Sequence, residues 1–213
     1  MPRWLWALLF VLLASLWWVG QRGAAPLAAA SASGAPLACP PPARLADGEQ
    51  AVQSEPPRGM QPFRLGAATV FPLAGFSVQG RVLSRENYSL GAEATYSPTD
   101  LALGWGPMAA PGMAEQLHVS QGGRWYRYEW GREGPPIDAA QIATHSANMH
   151  MVPADATVAR ALARIDQGNI VRVNGWLVRI DGDNGWHWQS SLSRDDTGAG
   201  ACELVYVCSI EAR

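Results

Sequence analysis

NIVRVNGWLVRID, residues 169–181, is the stretch that decides the fold. Val171, Val173 and Leu177 fall on one face of an extended chain at this spacing, which is the two-residue period of a β-strand. Gly175 lies on the same face, where glycine suits a bend or bulge. The stretch therefore predicts a long, strongly coiled strand of the kind that a small β-barrel requires.

Further strand and helix patterns lie on both sides of this stretch. Asp138 and Asp155 each precede an apolar-periodic run and are suited to cap a helix, so two helices are predicted before residue 169. The other predicted strands are rich in β-branched and aromatic residues, and they are FSVQGRVLS (76–84), DLALGWG (100–106), RWYRYEW (124–130), WHWQSSL (186–192) and CELVYVCSI (202–210).

This order of elements indicates a mainly β fold of the α+β class. Three strands, a helical segment and two strands is the order of the OB-fold, a small Greek-key barrel. The sequence therefore predicts an OB-like barrel with one or two helices between strands three and four. One strand more than that pattern needs is present, and an open α+β sheet with the helices on one face is the alternative.

The N-terminus predicts the compartment. Residues 4–19, WLWALLFVLLASLWWV, contain no charge. As a helix they extend for about 24 Å, and the tryptophans at both ends increase the membrane thickness that this helix can match. We expect residues 1–22 to form a transmembrane anchor, with Arg3 holding the N-terminus inside. A cleaved signal peptide is the alternative. Lipidation at Cys39 is a third reading, disfavoured because Pro36 stands where the signal usually has leucine.

All three readings place the rest of the chain outside the cytoplasm. On the anchor reading, the protein is expected to be a single-pass protein of the inner membrane whose globular domain lies outside the cytoplasm. Residues 23–62 are rich in Ala, Pro, Gly and Ser, which predicts a flexible tether, and residues 63–213 are expected to form the globular domain. Cys39 and Cys208 both flank flexible ends and are geometrically able to pair, whereas Cys202 is expected to be a buried core residue.

The histidine-containing stretch THSANMH, residues 144–150, is the first candidate site. His145 and His150 are five residues apart, whereas helical zinc sites use a spacing of four, so no metal is expected. One functional interpretation makes His145 or His150 a catalytic base, with Arg194 and Asp196 around it. The structural interpretation is that these polar groups satisfy the backbone at the end of a helix.

Other polar and aromatic residues are candidates for ligand binding. Asp100, Trp105, Asn148 and Glu203 are the candidates, each because of the polar or aromatic group that its side chain carries. The ten tryptophans are an unusual number, and exposed rings are suited to stacking on sugars, although most are expected to be core. The net charge of −2 and the compartment disfavour nucleic acid as a partner.

Three segments carry a resemblance to a known family. They are YSPTDLALGWGPM (96–108), THSANMH (144–150) and SSLSRDDTGAGACELVYV (190–207). Together they resemble a family of uncharacterised proteobacterial proteins that typically have one N-terminal membrane segment. The resemblance implies a bacterial envelope protein, and it assigns no catalytic residue.

Two functions follow as hypotheses. The first is a membrane-anchored envelope protein whose periplasmic OB-like domain acts as a binding or accessory module, without a cofactor. Its expected partners are the inner membrane, through residues 4–19, and a protein of the envelope. The alternative is a periplasmic hydrolase that uses the His145/His150 cluster with aspartate and arginine partners.

Overall fold

The computed structural model describes residues 4–6, 8, 10–12, 29–30, 39–40, 42, 45, 51–56, 60–193, 196 and 200–213. The prediction of a mainly β chain is confirmed. The strands are β1 (Ala29–Ala30), β2 (Ala51–Ser54), β3 (Phe63–Leu65), β4 (Ala68–Asn87), β5 (Thr99–Gly104), β6 (Ser120–Gly122), β7 (Trp125–Arg127), β8 (Ser146–Pro153), β9 (Ile170–Gly182), β10 (His187–Gln189) and β11 (Glu203–Ala212). The helices are α1 (Ala92–Tyr96), α2 (Met113–Gln116), α3 (Ala139–Thr144) and α4 (Ala156–Leu162), with a 3₁₀ turn at Gly106–Ala109.

Five strands pair in a closed cycle. The long strand β4 pairs with β5 and with β9, β5 pairs with β8, β8 pairs with β11, and β11 pairs with β9. All these pairs are antiparallel except β8 with β11, which are parallel, so the sheet is mixed. Short strands extend it, because β2 and β3 pair with β4, β1 pairs with β3, and β10 pairs with β9.

Gly175 has a steric reason to be glycine. It lies opposite Val207 of β11, and a Cβ atom at this position would be 2.2 Å from the carbonyl oxygen of Tyr206. A register shift between Val207 and Ser209 follows at once on the neighbouring strand. The expected irregularity is therefore present here, and the bulge itself lies on β11 rather than on β9.

The largest apolar cluster is built from residues of all five cycle strands and of α4. Helix α4 begins as expected, since Asp155 accepts hydrogen bonds from the backbone N–H groups of Thr157 and Val158 at 2.7 and 2.9 Å. Its apolar side presents Val158 and Leu162 to the cluster. Fully buried strand residues of this cluster include Phe76, Val78, Leu101, Met149, Val173, Leu177 and Val205.

Two parts of the predicted strand order are corrected. The predicted third strand, 124–130, contributes only β7, which pairs with β6 in a separate two-stranded sheet. The third strand of the cycle is instead β8, whose first residues were expected to end a helix. Ala147, Met149 and Met151 of β8 belong to the apolar cluster, whereas the residues between them are polar and point to the other side of the strand. This alternation has the two-residue period of a strand.

A disulfide joins Cys39 to Cys208, with their Cα atoms 5.5 Å apart. The pairing considered from the sequence is therefore present, and Cys202 is a free cysteine. Near the disulfide, the indole N–H of Trp176 donates a hydrogen bond to the carbonyl oxygen of Pro40 at 3.0 Å. Together with β1 and β2, these contacts attach described residues of the predicted tether to the domain.

Described residues 4–6, 8 and 10–12 are helical. No helix within the described part of the chain is long and apolar enough to cross a membrane, so the predicted anchor is not found there. Residues 7, 9 and 13–19 of that prediction lie outside the described residues.

Candidate functional site

A pocket of about 170 Å³ lies beside β8. Its walls come from β7, β8, α3 and the residues just before and at the start of β11. Aromatic rings, small side chains and polar groups share the lining, which consists of Trp105, Trp125, Tyr126, Tyr128, Ala143, Ser146, Ala147, Asn148, Asp196, Ala201, Cys202 and Glu203. Four of the residues expected to bind a ligand or to act in catalysis therefore line one pocket: Trp105, Asn148, Asp196 and Glu203.

The aromatic wall is presented by the β6–β7 hairpin. Gly122 pairs with Trp125, so Gly123 and Arg124 form a two-residue turn. Both have positive φ, 59° and 68°, which is the combination that a type I′ turn requires. Arginine adopts this conformation at a cost of about 1 kcal/mol or more. We infer that the contacts of the Arg124 side chain offset this cost.

Arg124 fastens the hairpin to the body of the domain. Its Nη1 lies 2.6 Å from Oδ1 of Asp100, and its Nη2 donates to the carbonyl oxygen of Ser97 at 2.9 Å. The guanidinium lies over the ring of Tyr88 at 3.8 Å from the centroid, and 5.5 Å from the ring of Trp188. Because Asp100 has no exposed side-chain surface, this ion pair is shielded from water on the carboxylate side.

The second oxygen of Asp100 faces β8. Asp100 and His150 are direct cross-strand neighbours, and Nδ1 of His150 lies 2.9 Å from Oδ2 of Asp100. The two atoms are within ion-pair distance, although Nδ1 of His150 makes no hydrogen bond to a described residue. The imidazole packs against Trp188, with ring centroids 4.6 Å apart, and only 3% of His150 is exposed. Asp100 therefore joins the hairpin arginine to the strand histidine.

The side-chain amide of Asn148 on β8 makes hydrogen bonds to the β6–β7 hairpin through both its nitrogen and its oxygen. Its Nδ2 donates to the carbonyl oxygen of Arg124 at 3.1 Å, and its Oδ1 accepts from Nε2 of Gln121 at 2.6 Å. The hydroxyl of Tyr126 bonds to Oγ of Ser146 at 3.1 Å. The pocket wall is thus held in position by hydrogen bonds to Ser146 and Asn148, two polar residues on the same face of β8.

The electrostatic character of the pocket is visible at Cys202. Burial raises the pKa of the Cys202 thiol to about 11, and the charges of Glu203, Asp100 and Asp196 act in the same direction, opposed by a contact with Asn148. Burial also raises the pKa of the Tyr126 hydroxyl to about 12. Both groups are therefore neutral at physiological pH, and Cys202 is not an activated nucleophile.

This pKa predicts slow alkylation of Cys202. A shift from 9.0 to about 11 makes the thiolate fraction near neutral pH about 100-fold smaller than in an unfolded chain. We expect iodoacetamide labelling, followed by mass spectrometry, to be at least that much slower in the native protein than in denaturant. Because the folded pKa is raised, the corresponding stability is present below about pH 9 and is lost as the pH rises to about 11. A native labelling rate equal to the denatured rate contradicts the prediction.

The two predicted histidines, His145 and His150, are not among the residues that line the pocket. His145 ends α3, and its Nδ1 lies 3.0 Å from both the carbonyl oxygen of Gln141 and Oγ1 of Thr144. It contacts its own helix, whereas His150 contacts Asp100 and Trp188, so the two histidines do not share partners. Asp196 accepts a hydrogen bond from Oγ of Ser191 at 2.6 Å. Arg194 lies outside the described residues.

The residue that the sequence interpretation missed is Arg124. One signal for it was present, since Asp100 opens an otherwise apolar strand and a buried carboxylate there requires a cation. Gly122 and Gly123 before Arg124 are typical of a turn, but their presence does not show that the next side chain points towards the body of the domain. The partner is 24 residues away, and no spacing rule connects the two positions.

Within the part of the chain that the structure describes, no group of three or more His, Cys, Asp or Glu residues is placed to hold a metal ion. No protein-family model, curated protein or solved structure matches the chain.

Proposed function

We propose that this protein is a membrane-anchored envelope protein whose periplasmic, OB-like domain binds a small ligand in the pocket beside β8. Residues 4–19 anchor it in the bacterial inner membrane, and residues 63–213 carry the binding domain. The observation that carries the proposal is the pocket itself, whose aromatic wall is fixed in place by the Arg124–Asp100 pair and by Asn148.

The strand cycle supports the OB-like assignment. Five strands close on themselves, the third and fifth of them run parallel, and helix α4 connects the third to the fourth. Ligands of OB-folds bind on the second and third strands and on the loops beside them. The pocket follows this rule, because β8 is the third strand of the cycle and residues 196 and 201–203 precede and begin the fifth. Strand β10, which pairs only with β9, accounts for the extra strand.

The disulfide supports the compartment. Cys39 and Cys208 are bonded, and structural disulfides form and persist in oxidising compartments such as the bacterial periplasm. Export of the domain across the inner membrane is the step that brings these thiols into such a compartment.

The hydrolase alternative has no specific observation in its favour. The Asp100–His150 pair is packed against Trp188, and His150 is not among the residues that line the pocket. The thiol of Cys202, the free cysteine, is held in its protonated form. That function stays a prediction, and the binding module is the function that we develop.

Filling the pocket tests the proposed function. We expect Ala143→Trp, which places an indole in a 170 Å³ pocket, to abolish the recovery of bound small molecules from protein purified from membranes in mild detergent. Mass spectrometry of the released ligand fraction is the measurement. Ala140→Trp is the matched control, because it lies on the same helix, is exposed and does not line the pocket.

Two results contradict the proposal. One is that the wild-type protein is absent from the membrane fraction. The other is that Ala143→Trp and wild type release the same small molecules in the same amounts.

A further inference from the structure

The chain that connects the proposed anchor to the domain is short. The anchor ends at Val19, and β1 is the next described segment, where Ala29 pairs with Leu65 of β3. The chain from Val19 to Ala29 reaches at most about 35 Å when it is fully extended. Residues 23–62 were expected to act as a tether over their whole length, which would reach about 130 Å. The pairing of β1 with β3 therefore brings the domain much closer to the anchor.

The residues after β1 are also attached to the domain. Cys39 is bonded to Cys208 of β11. The carbonyl oxygen of Pro40 accepts a hydrogen bond from the indole of Trp176 on β9, and β2 pairs with β4. These contacts lie on three neighbouring strands, in the order β11, β9 and β4. Because the chain is attached at β1 and again from Cys39 onwards, only the residues before β1 set the distance to the anchor.

Strand β1 begins at one end of the strand cycle. It is antiparallel to β3, so its N-terminal end lies where β3 leads into the turn of residues 66–67 before β4. The turn of residues 183–185 after β9 is next to it, since the backbone N–H of Asp183 donates to the carbonyl oxygen of Ala67 at 3.0 Å. We call residues 66–67 and 183–185 together the tip. The chain from the anchor thus enters the domain at the tip.

The tip is polar and exposed to solvent. All five of its residues are exposed. Asp183 pairs with Arg64 of β3, with Nη2 and Oδ2 2.6 Å apart. Next to the tip, the indole of Trp186 stacks on the ring of Tyr96, with centroids 5.7 Å apart, and is only partly exposed. Charged side chains are costly in hydrocarbon, so this surface suits the layer of lipid headgroups and does not enter the hydrocarbon core.

The opposite end of the domain lies much farther from the point where the chain enters. At the tip end, Ala68 of β4 pairs with Gly182 of β9. At the other end, Ala212 of β11 pairs with Val171 of β9. The strand between Gly182 and Val171 is about 35 Å long at the usual rise per residue. Turning the far end towards the bilayer would therefore require nearly full extension of the chain before β1, which costs conformational entropy.

We propose that the tip faces the inner membrane and contacts the phospholipid headgroups of the leaflet from which the anchor emerges. This proposal rests on the anchor of the proposed function, and it adds the surface through which the domain meets the membrane. The short chain before β1 holds the tip there, and the exposed Arg64–Asp183 pair presents both charges to headgroups that also carry both.

Two matched labelling sites test this orientation. Ala67→Cys places a thiol at the tip and Ala212→Cys places one at the far end, and both positions are exposed. In the Cys202→Ser background a fluorophore reacts with the new thiol alone, since Cys39 and Cys208 form the disulfide. The measurement is energy transfer to a dye on lipid headgroups, with the full-length protein in phosphatidylethanolamine–phosphatidylglycerol liposomes. We expect transfer from the tip label to be several times more efficient than transfer from the far label.

An insertion on each side of β1 shows which part of the chain sets the distance. About twenty Gly and Ser residues inserted before Pro26 add roughly 65 Å of reach. We expect this insertion to lower transfer from the tip label to the level of the far label. The same segment inserted after Asp47 is the matched control, because the chain is attached to the domain on both sides of it. The control insertion is expected to leave transfer from the tip label unchanged.

The outcomes separate this proposal from the proposed function. Equal transfer from the tip and far labels, or tip transfer that is unchanged by the insertion before Pro26, overturns the orientation and leaves the anchor and the pocket standing. A full-length chain that does not stay with the liposomes in concentrated salt contradicts the anchor and overturns both proposals. Thermal unfolding shows which variants are folded, and His187→Cys, exposed on β10 beside the tip, replaces Ala67→Cys if that variant unfolds.

Discussion

Asp100→Asn is expected to lower the free energy of unfolding by about 3–5 kcal/mol, the usual consequence of leaving one partner of a buried ion pair without the other. Asparagine keeps the shape of the side chain and removes its charge. The guanidinium of Arg124, whose side chain is 18% exposed, then has a neutral amide in place of the carboxylate at 2.6 Å. Chemical denaturation, followed by tryptophan fluorescence, measures the change.

The same substitution on the surface is the control. Asp181 pairs with Arg179 at 3.0 Å, but both side chains of that pair are 37% exposed. Asp181→Asn is therefore expected to cost no more than about 1 kcal/mol. Equal effects of the two substitutions contradict the view that burial gives the Asp100 pair its importance.

Asp100→Asn also acts on the pocket. Releasing Arg124 removes the attachment that offsets its positive φ, so the β6–β7 hairpin loses a main contact with the domain. We therefore expect a folded remainder of this variant, studied at low temperature, to lose ligand binding as well as stability. Asp181→Asn retains binding.

Removal of the Cys39–Cys208 disulfide has the second large expected effect. The two cysteines are 169 residues apart in sequence, and in the chain-entropy account a crosslink that closes so long a loop stabilises the folded state by up to about 5 kcal/mol. We expect Cys39→Ser, or addition of reductant to the wild type, to lower the free energy of unfolding by several kcal/mol. Denaturation curves with and without reductant measure it.

The free cysteine supplies the control for the disulfide. Cys202→Ser removes a thiol that has no disulfide partner, so the resulting protein should still respond to reductant by the same amount as wild type. Cys39→Ser should no longer respond. A wild-type protein whose stability is unchanged by full reduction contradicts the prediction. Mass spectrometry under non-reducing conditions confirms which thiols are free.

The sequence predicts where the strands lie better than it predicts which strands pair with each other. Val171, Val173 and Leu177 predicted the long strand β9 because alternation is a local property. Residues 124–130 were predicted as one strand of the main sheet because aromatic side chains are common in strands. They instead form part of a hairpin outside the strand cycle. No local feature of the sequence shows whether such a segment joins the main sheet or a separate hairpin.

THSANMH shows how a polar cluster hides a strand. Its side chains Asn148 and His150 drew attention as chemical groups, while Met149 between them is fully buried in the apolar core. The alternation of polar and apolar residues in this segment predicts a strand, which is β8 in the structure. The polar residues taken alone predict the end of a helix. The candidate residues Asp100, Asn148 and His150 were each identified from the sequence, but their connection through Arg124 depends on tertiary pairing that no spacing encodes.

The parallel contact of β8 with β11 sets the order in which this molecule can mature. Strand β11 enters between β8 and β9, and it follows every strand that it joins along the chain. While the chain emerges with its N-terminus first, β8 and β9 are present before β11. The backbone groups of β8 and β9 that pair with β11 are then still unpaired. Strand β11 closes the cycle, and it also carries Cys208 of the disulfide and Glu203 of the pocket. A domain that has emerged only in part therefore lacks both the disulfide and the complete pocket.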